Sequence, residues 1–267
     1  MKLFLTLIIG FTFLYALVRY LELTSIFYPS RIIEVTPDRM KISFEDVYIT
    51  AQDGVRINGW LIIQPQAKST LLHFHGNAGN ISDRLMTIKF FHELGVNVLI
   101  IDYRGYGRSQ GSPSEKGVYL DGRAAFDFLK SRKDIGHLPI VIYGGSLGGA
   151  VAIDVATQRD VAGLIIDSSF PSAPEMGRVL YPILPTFLMS VKFDSKQKIK
   201  SLIIPKLFMH SREDPVVPFR LGRILFDAAP EPKEFVELTG GHSDAHIDCR
   251  DQFEGCVEGF LKRKGWL

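Results

Sequence analysis

A serine lies at the centre of the glycine-rich stretch Tyr143–Ala150, whose sequence YGGSLGGA contains a Gly-x-Ser-x-Gly pattern around Ser146. The preceding run, Leu138–Tyr143, is typical of a buried strand, and Ala150–Gln158 is typical of a helix. A sharp turn between them strains its central residue and requires neighbours that are nearly without side chains. The pattern predicts a serine hydroxyl that projects above a sheet as a nucleophile. The alternative is a glycine-rich loop that only packs a helix on a strand.

A nucleophilic serine needs a general base, and the base needs a carboxylate that fixes its tautomer. Both residue types follow strand-like runs further along the chain. Asp214 comes after Pro205–His210, and His242 comes after Glu234–Leu238. The order serine, acid, histidine, with each residue in a loop after a strand, is typical of one kind of hydrolytic site. We therefore predict Ser146, Asp214 and His242 as the catalytic residues.

The loops around these residues resemble those of the α/β-hydrolase superfamily. The acid-loop pattern of that superfamily, H-G-x-x-D-x-x-V-P, is similar to His210–Pro218, except that Ser211 stands where glycine is usual. Its histidine loop, G-G-H-x-D, is similar to Gly240–Asp244. Two further motifs of the superfamily are similar to His73–Asn80 and Asp102–Gly111.

This resemblance spans about residues 43–263. It implies an α/β-hydrolase fold, with a mostly parallel eight-stranded sheet, helices on both faces and a small cap. The versions H-G-N-A-G-N and D-Y-R-G-Y-G look like those of a membrane-anchored subgroup, which includes protein depalmitoylases and many uncharacterised bacterial hydrolases. That subgroup often carries arginine immediately before the serine, whereas this chain has Gly145.

Two residues compete for the roles of base and acid. His246 lies four residues after His242, but the Gly240–Gly241 lead-in favours His242, because a base must reach the serine from a flexible loop tip. Glu213 precedes Asp214, and the Pro-Val-Val-Pro sequence that follows favours Asp214 in the register of the acid loop.

Two backbone amides are candidates for an oxyanion hole. The amide of Leu147 lies at the start of the helix that follows the serine. His75-Gly76-Asn77 follows a predicted strand, where the resembling fold places its second donor, so we assign the amide of Asn77 as the partner. His73 and His75 form an H-x-H pair that suggests a metal, but no Asp or Cys is suitably spaced nearby. We predict structural roles for both histidines, and neither a metal nor a cofactor.

Further polar residues stand at predicted strand ends without an assigned chemical role. We expect Asp102 and Arg104 to brace the following glycine-rich turn by charge-assisted hydrogen bonds. Asp167, at the end of its predicted strand, is left unassigned.

The catalytic candidates lie in a regular alternation of elements. Strands are predicted over 44–50, 55–63, 70–74, 96–101, 138–143, 162–166, 205–210 and 234–238, and helices include 81–94 and 114–130. The Asp-Gly at 53–54 predicts a hairpin between the first two strands. Alternation of this kind predicts a parallel sheet with helices on both faces and an antiparallel edge.

Two segments depart from the alternation. The interval of about 168–200 carries several prolines and an apolar stretch, and we interpret it as a small cap over the serine rather than a packed helix and loop. Residues 3–18 carry no charge, which predicts a single-pass transmembrane helix at the N-terminus, with a cleaved signal peptide as the alternative. The predicted division is a membrane anchor over 1–22, a connector over 23–42 and the hydrolase domain over 43–267. In a bacterium the domain is expected outside the cytoplasm.

Composition excludes some partners. The chain has 267 residues and a formal net charge of +2, with 31 basic and 29 acidic residues, and no basic stripe predicts nucleic-acid binding. Cys249 and Cys256 are both placed on the predicted last helix, where a spacing of ~10.5 Å between Cα atoms is too long for a disulfide.

The expected function is a membrane-anchored serine hydrolase of the esterase, thioesterase or lipase type that forms an acyl-enzyme. An apolar cap beside a membrane anchor suggests a small-molecule or lipid-like acyl substrate. A serine peptidase or amidase and a non-catalytic membrane adaptor are the alternatives. Acyl length, ester or thioester, membrane side and oligomeric state are left open.

Overall fold

A computed structural model of the chain describes residues 2–183, 185–242 and 249–267. The chain begins with helix α1 (Lys2–Ser25). Within it, Phe4–Glu22 is long and apolar enough to cross a membrane, although a signal sequence meets the same criterion. The short strand β1 (Tyr28–Pro29) then pairs in parallel with β5 (Ala78–Gly79) at the edge of the main domain.

The main domain is built on an eight-stranded mixed sheet, with the order β10-β9-β8-β7-β4-β6-β3-β2. Strands β2 and β3 form an antiparallel hairpin, β3 is antiparallel to β6, and the other neighbours are parallel. The predicted mostly parallel sheet with an antiparallel edge is therefore confirmed. The strands are β2 (Glu45–Thr50), β3 (Arg56–Ile62), β4 (Thr70–Phe74), β6 (Asn97–Ile101), β7 (Ile140–Gly145), β8 (Gly163–Asp167), β9 (Lys206–Ser211) and β10 (Lys233–Leu238).

Helices cover both faces of the sheet because the inner strands are apolar on both sides. In β6, Leu99 and Ile101 belong to one core cluster, and Val98 and Ile100 belong to the other. The helices after α1 are α2 (Leu85–Glu93), α3 (Glu115–Ser131), α4 (Leu147–Ala156), α5 (Ala173–Leu180), α6 (Ser195–Lys198), α7 (Phe219–Ala228) and α8 (Arg250–Arg263). Helices α3, α4 and α7 pack in the first cluster, and α2 and α8 pack in the second.

Some helix boundaries differ from the predicted ones. The helix predicted over 81–94 is a 3-10 turn, Ile81–Arg84, followed by α2, because Asn80 and Asp83 close a capping box around the turn. The helix predicted from 150 begins at Leu147 and ends at Ala156, since the glycines after the serine are already helical. The prediction that both cysteines lie on the last helix is wrong, because Cys249 is its N-cap residue.

The segment between β8 and β9, residues 168–200, is called the cap segment below. It contains α5, the 3-10 turn Thr186–Leu188 and α6. The connector after α1 lies along the main domain. There the Asn80 side chain donates to the Ile32 carbonyl oxygen at 2.6 Å, and Arg31 Nη1 donates to the Ser109 carbonyl oxygen at 2.5 Å.

Candidate active site

Ser146 lies on the turn between β7 and α4 with a strained backbone. Its φ is 51° and its ψ is −116°, in a region that residues with a side chain rarely adopt. Its amide donates to the carbonyl oxygen of Asp167 at 2.8 Å, which ties the turn to the neighbouring strand. The turn therefore holds the backbone of Ser146 as the Gly-x-Ser-x-Gly pattern predicts.

The glycines of this turn are not equivalent. A Cβ atom at Gly148 would lie 2.0 Å from the carbonyl oxygen of Phe74, and one at Gly144 would lie 2.4 Å from the carbonyl oxygen of Gly148. A Cβ at Gly145 would meet nothing closer than the Tyr143 hydroxyl at 3.9 Å. Packing thus requires glycine at 144 and 148, whereas position 145, where the resembling subgroup often has arginine, has room for a Cβ atom.

The amide of Leu147 lies at the positive end of a ten-residue helix. As the first residue of α4, Leu147 has an N–H group without an acceptor inside the helix. The aligned peptide dipoles of the helix favour negative charge at this end. The position suits a donor to an oxyanion that forms beside Ser146.

The peptide bonds on either side of Asn77 are held in fixed orientations. His75 Nδ1 lies 2.7 Å from the carbonyl oxygen of Gly76, so this nitrogen carries the proton and donates it. In a trans peptide the N–H of Asn77 then points the opposite way. The carbonyl oxygen of Asn77 accepts from the Tyr28 amide at 3.0 Å and from the Tyr106 hydroxyl at 2.6 Å. Asn77 and Leu147 both line a cavity that contains Ser146.

Asp214 is a buried carboxylate with a full set of donors. Its Oδ1 accepts from the amides of Val216 and Val217, each at 2.8 Å. Its Oδ2 lies 2.7 Å from His242 Nδ1 and 3.4 Å from His210 Nε2. Burial raises the pKa of this carboxyl, but the facing His210 ring and the hydrogen bond to His242 outweigh burial and hold the pKa well below its usual range. Asp214 is therefore ionised at neutral pH.

His242 has one ring nitrogen bonded to Asp214, which leaves Nε2 for a second partner. His242 and Ser146 line the same cavity of about 100 Å³. Among the hydrogen bonds of the described residues, none joins the Ser146 hydroxyl to the His242 ring. The structure thus joins acid and histidine directly and brings the serine to the same cavity. The rival histidine, His246, lies outside the described residues.

A second carboxyl, that of Asp167, lies in the cavity shared by Ser146 and His242, and the sequence alone assigns it no role. Its Oδ2 accepts from the Tyr143 hydroxyl at 2.7 Å, and its Oδ1 accepts from the Ser168 hydroxyl at 3.0 Å. Burial raises the pKa of Asp167, although these hydroxyls and nearby His242 act against the rise. Its place at the end of β8, beside the strand that leads into Ser146, is the sequence feature that could have revealed it.

His210 also supports the site without having been predicted to do so. Its Nε2 donates to the carbonyl oxygen of Val217 at 2.8 Å and faces the Asp214 carboxylate. A Cβ at Gly222 in α7 would lie 2.1 Å from its ring, so that helix packs directly on the imidazole. The first residue of the acid-loop pattern therefore holds the loop that carries the acid.

The remaining polar candidates separate into two groups. Arg104 pairs with Asp121 at 2.8 Å and with Asp53 at 2.7 Å, which braces its turn as expected. Asp102, however, accepts from the Ile81 amide and lies 3.5 Å from His75 Nε2. Within residues 2–183, 185–242 and 249–267, no group of three or more His, Cys, Asp or Glu side chains is arranged to hold a metal ion.

A larger cavity of about 300 Å³ extends from Ser146 toward the cap segment. Its walls are mostly apolar and include Phe170, Met176 and Met189. The nucleophile candidate therefore lies between a small polar cavity on the histidine side and a larger apolar cavity on the cap side.

Comparison with known proteins agrees with this fold. Residues 65–202 match the family model Hydrolase_4, described as serine aminopeptidase, S33. Protein Rv2307c of Mycobacterium tuberculosis (strain ATCC 25618 / H37Rv), described as uncharacterized, is 40% identical over 206 residues, which cover 76% of this chain and 73% of that protein. The alpha/beta hydrolase domain-containing protein WAV2 of Arabidopsis thaliana is 35% identical over 240 residues, which cover 80% and 77%.

Among solved structures, the esterase Pf2001 of Pyrococcus furiosus matches with a TM-score of 0.76 and 22% identity, over 88% of this chain and 98% of that one. At this identity the likeness shows the fold alone. The fold and the matches together define an α/β-hydrolase, so the predicted superfamily and fold class are confirmed. Within it, the chain belongs to the family whose model is described as serine aminopeptidase, S33.

Proposed function

We propose that this protein is a membrane-anchored serine hydrolase that cleaves a carboxylic ester or thioester with an acyl or lipid-like group. The observation that carries the proposal is the arrangement around Ser146. Its strained turn opens helix α4, and it shares a cavity with His242, whose Nδ1 is bonded to the ionised Asp214. A nucleophile, a base and an orienting carboxylate in this arrangement support acyl transfer.

The proposed reaction has two steps. His242 Nε2 takes the proton of the Ser146 hydroxyl while its oxygen attacks the carbonyl carbon, and the amides of Asn77 and Leu147 stabilise the oxyanion. The imidazolium then donates its proton to the leaving alcohol or thiol, which leaves an acyl-serine. Water, deprotonated by His242, attacks this ester in the same way, and Ser146 recovers its proton as the acid is released.

The apolar cavity favours an acyl substrate over a peptide. Among the described residues of its wall, the carboxylate of Glu22 already accepts from the Val191 amide at 3.0 Å and pairs with Arg19. The charged amino terminus of a peptide is costly to desolvate in such an apolar cavity, whereas an acyl chain gains from burial there. The description of the family model nevertheless keeps a peptidase or amidase as the second candidate.

Anchoring is proposed from α1. Phe4–Glu22 can cross a membrane by length and composition, and apolar side chains along it, such as Phe4, Leu7 and Phe11, are exposed. The corresponding division is an anchor over 1–22, a connector over 23–42 and a catalytic domain over 43–267, with the domain outside the cytoplasm in a bacterium. Amino-terminal sequencing of the membrane-bound protein separates an intact anchor from a cleaved signal peptide.

Fluorophosphonate labelling of the full-length protein in detergent tests the chemistry. We expect wild type to be labelled, Ser146→Ala not to be labelled, and the exposed control Ser201→Ala to behave as wild type. Hydrolysis of 4-nitrophenyl butyrate should fall by about 10⁶-fold in Ser146→Ala. Equal labelling of wild type and Ser146→Ala would eliminate the assignment. Faster cleavage of aminoacyl 4-nitroanilides than of esters would favour the peptidase, and no Ser146-dependent turnover of any of these substrates would favour the adaptor.

A further inference from the structure

The end of the N-terminal helix forms part of the wall of the apolar cavity beside Ser146. Val18, Leu21 and Ser25 of α1 line this cavity together with Ser146 and Leu147. Val18 is only 3% exposed, although most of α1 before it is open to the surroundings. A segment that resembles a simple anchor by composition is therefore also in contact with the space where a substrate would lie.

Specific polar contacts hold α1 in this position. The carboxylate of Glu22, a residue only 4% exposed, accepts from the Val191 amide of the cap segment at 3.0 Å and contacts the Ser190 hydroxyl at 3.3 Å. The hydroxyls of Ser25 and Tyr181 lie 2.8 Å apart. A buried carboxylate needs such partners, so the helix end is docked on the cap segment in one defined orientation.

The connection continues to the oxyanion loop. Three residues after Ser25, the amide of Tyr28 donates to the carbonyl oxygen of Asn77 at 3.0 Å. Asn77 also lines the apolar cavity. The end of α1, the cap segment and the proposed oxyanion donor thus form one continuous wall around Ser146.

The rim of the cavity next to α1 exposes large apolar side chains. Leu180 is 51% exposed and lines the cavity, and Ile183 and Phe187 are 97% and 78% exposed on either side of the lining residues Pro185 and Thr186. Such a cluster is unfavourable in water and favourable in a bilayer interface. It adjoins α1, the helix able to cross a membrane, so both surfaces can meet the same lipid phase.

We propose that α1 is a substrate-binding element as well as an anchor, and that the cavity takes a long acyl chain directly from the bilayer. The hydrocarbon chain lies between Val18 and Leu21 of α1 on one side and Met176 of the cap segment on the other. The carbonyl carbon of the acyl group lies at Ser146. Since Val18 lies four residues, or ~6 Å along the helix, before the end of the candidate span at Glu22, the cavity is at the membrane interface. This inference rests on the proposed hydrolase function and specifies its substrate class.

Chain-length selectivity of the full-length protein in detergent tests the binding role. Val18→Trp places a large ring in the cavity from the α1 side, and Met176→Trp does so from the cap side. We expect each to lower the ratio of kcat/KM for 4-nitrophenyl palmitate to that for 4-nitrophenyl acetate by about tenfold or more, because buried methylenes supply the discrimination. The control Phe13→Trp, on an exposed part of α1, should keep the wild-type ratio.

An unchanged ratio in Val18→Trp, with acetate turnover that still depends on Ser146, would overturn the role of α1 and leave the proposed hydrolase intact. Acetate and palmitate turnover that does not depend on Ser146 would instead overturn the hydrolase. Fluorophosphonate labelling at the wild-type rate shows that a variant has kept its fold. If Val18→Trp is not labelled, the smaller Val18→Leu replaces it, with a fall of about threefold in the same ratio expected.

Entry from the bilayer has an independent test. Ile183→Trp and Phe187→Trp, in protein reconstituted into phosphatidylcholine vesicles, should have fluorescence that brominated acyl chains quench, measured against the background of Trp60 and Trp266. Ile203→Trp is the matched control, because Ile203 is 76% exposed but precedes β9 at the opposite end of the sheet. Quenching of Ile183→Trp no greater than that of Ile203→Trp would contradict the proposed entry.

Discussion

The hydroxyl of Ser211 donates a hydrogen bond of 2.5 Å to the carbonyl oxygen of Gly240. Ser211 ends β9 and begins the loop that carries Asp214, whereas Gly240 directly precedes the loop tip that carries His242. The bond therefore links the acid loop to the histidine loop. It is made by the residue that departs from the glycine usual in the α/β-hydrolase pattern, so the departure adds a contact between the two loops.

Replacing Ser211 should loosen this link. We expect Ser211→Ala to lose about 1 kcal/mol of stability, a typical net value for one hydrogen bond, and Ser211→Gly to lose slightly more through backbone freedom. Ester turnover should fall by about tenfold in both, because a small displacement of His242 disturbs proton transfer. Thermal unfolding and kcat on 4-nitrophenyl butyrate measure the two effects. Wild-type turnover in both variants would show that the link has no part in placing His242.

The neighbouring carboxylates Asp214 and Glu213 give a matched comparison. Asp214→Asn should lower kcat by about 10⁴-fold, because an amide favours the wrong tautomer of His242. In the described part of the histidine loop, Glu213 accepts from the Gly240 amide at 3.2 Å, and glutamine can still accept there. We expect Glu213→Gln to remain within about twofold of wild type.

Steady-state kinetics of the two variants on one ester decide between the acids. A large loss in Glu213→Gln together with a small loss in Asp214→Asn would reverse the assignment. Retained fluorophosphonate labelling in Glu213→Gln serves as the check on folding.

Much of the fold can be predicted from local sequence patterns. The site residues can be predicted from their positions directly after predicted strands. The apolar runs that became β4, β6 and β7 are short and continuous because parallel strands are buried on both faces. Ser146, Asp214 and His242 were predicted because each follows such a run at the same edge of the sheet. No local pattern, however, indicates which distant surface a helix will contact.

The docking of α1 illustrates what could not be predicted. Val18 and Leu21 look like ordinary membrane-facing residues, and Glu22 looks like the polar end of a span. In the fold, Val18 and Leu21 line the cavity beside Ser146, and Glu22 contacts Val191, about 170 positions further along the chain. Only tertiary packing determines such contacts. For Asp167 the sequence indicates the place, at the end of a strand beside Ser146, but not the burial, since a carboxyl at a strand end has the same sequence pattern whether it is solvated or buried.

The two buried carboxyls beside His242 should give opposite pH dependences of stability. The pKa of Asp214 is lowered in the folded protein by His210 and His242, so its contribution is present above the unfolded value of about 3.9 and is lost as pH falls through the folded pKa. The pKa of Asp167 is raised by burial, so its contribution is present below that value and is lost as pH rises through the folded pKa.

Unfolding temperatures measure these contributions between about pH 1 and pH 5 for Asp214 and between about pH 4 and pH 7 for Asp167. The unfolding temperature of wild type minus that of Asp214→Asn should decrease as the pH falls. The unfolding temperature of wild type minus that of Asp167→Asn, a variant that retains an acceptor for the Tyr143 hydroxyl, should decrease as the pH rises. Each unit of pKa difference is worth about 1.4 kcal/mol. Parallel curves for wild type and Asp167→Asn would show that Asp167 titrates alike in the folded and unfolded chain.

The glycines around Ser146 give the sharpest steric prediction. Gly148→Ala places a methyl group 2.0 Å from the Phe74 carbonyl oxygen, and since neither α4 nor β4 can move apart freely, we expect a loss of about 3 kcal/mol and of fluorophosphonate labelling. Gly145→Ala makes only an ordinary van der Waals contact, with the Tyr143 hydroxyl at 3.9 Å, and should gain about 0.5 kcal/mol, because alanine restricts the unfolded chain.

We also expect Gly145→Arg, which introduces the residue often found in the resembling subgroup, to fold with near wild-type stability, because its Cβ atom would make no contact closer than 3.9 Å. Its guanidinium would then stand beside Ser146 and Asp167, where a positive charge favours the ionised form of the carboxyl. The pH-dependent loss of stability assigned to Asp167 should accordingly shrink in Gly145→Arg. The difference in unfolding temperature between about pH 4 and about pH 7, compared with that of wild type, measures this. An unfolded Gly145→Arg next to a folded Gly145→Ala would mean that the space admits a methyl group but no longer side chain.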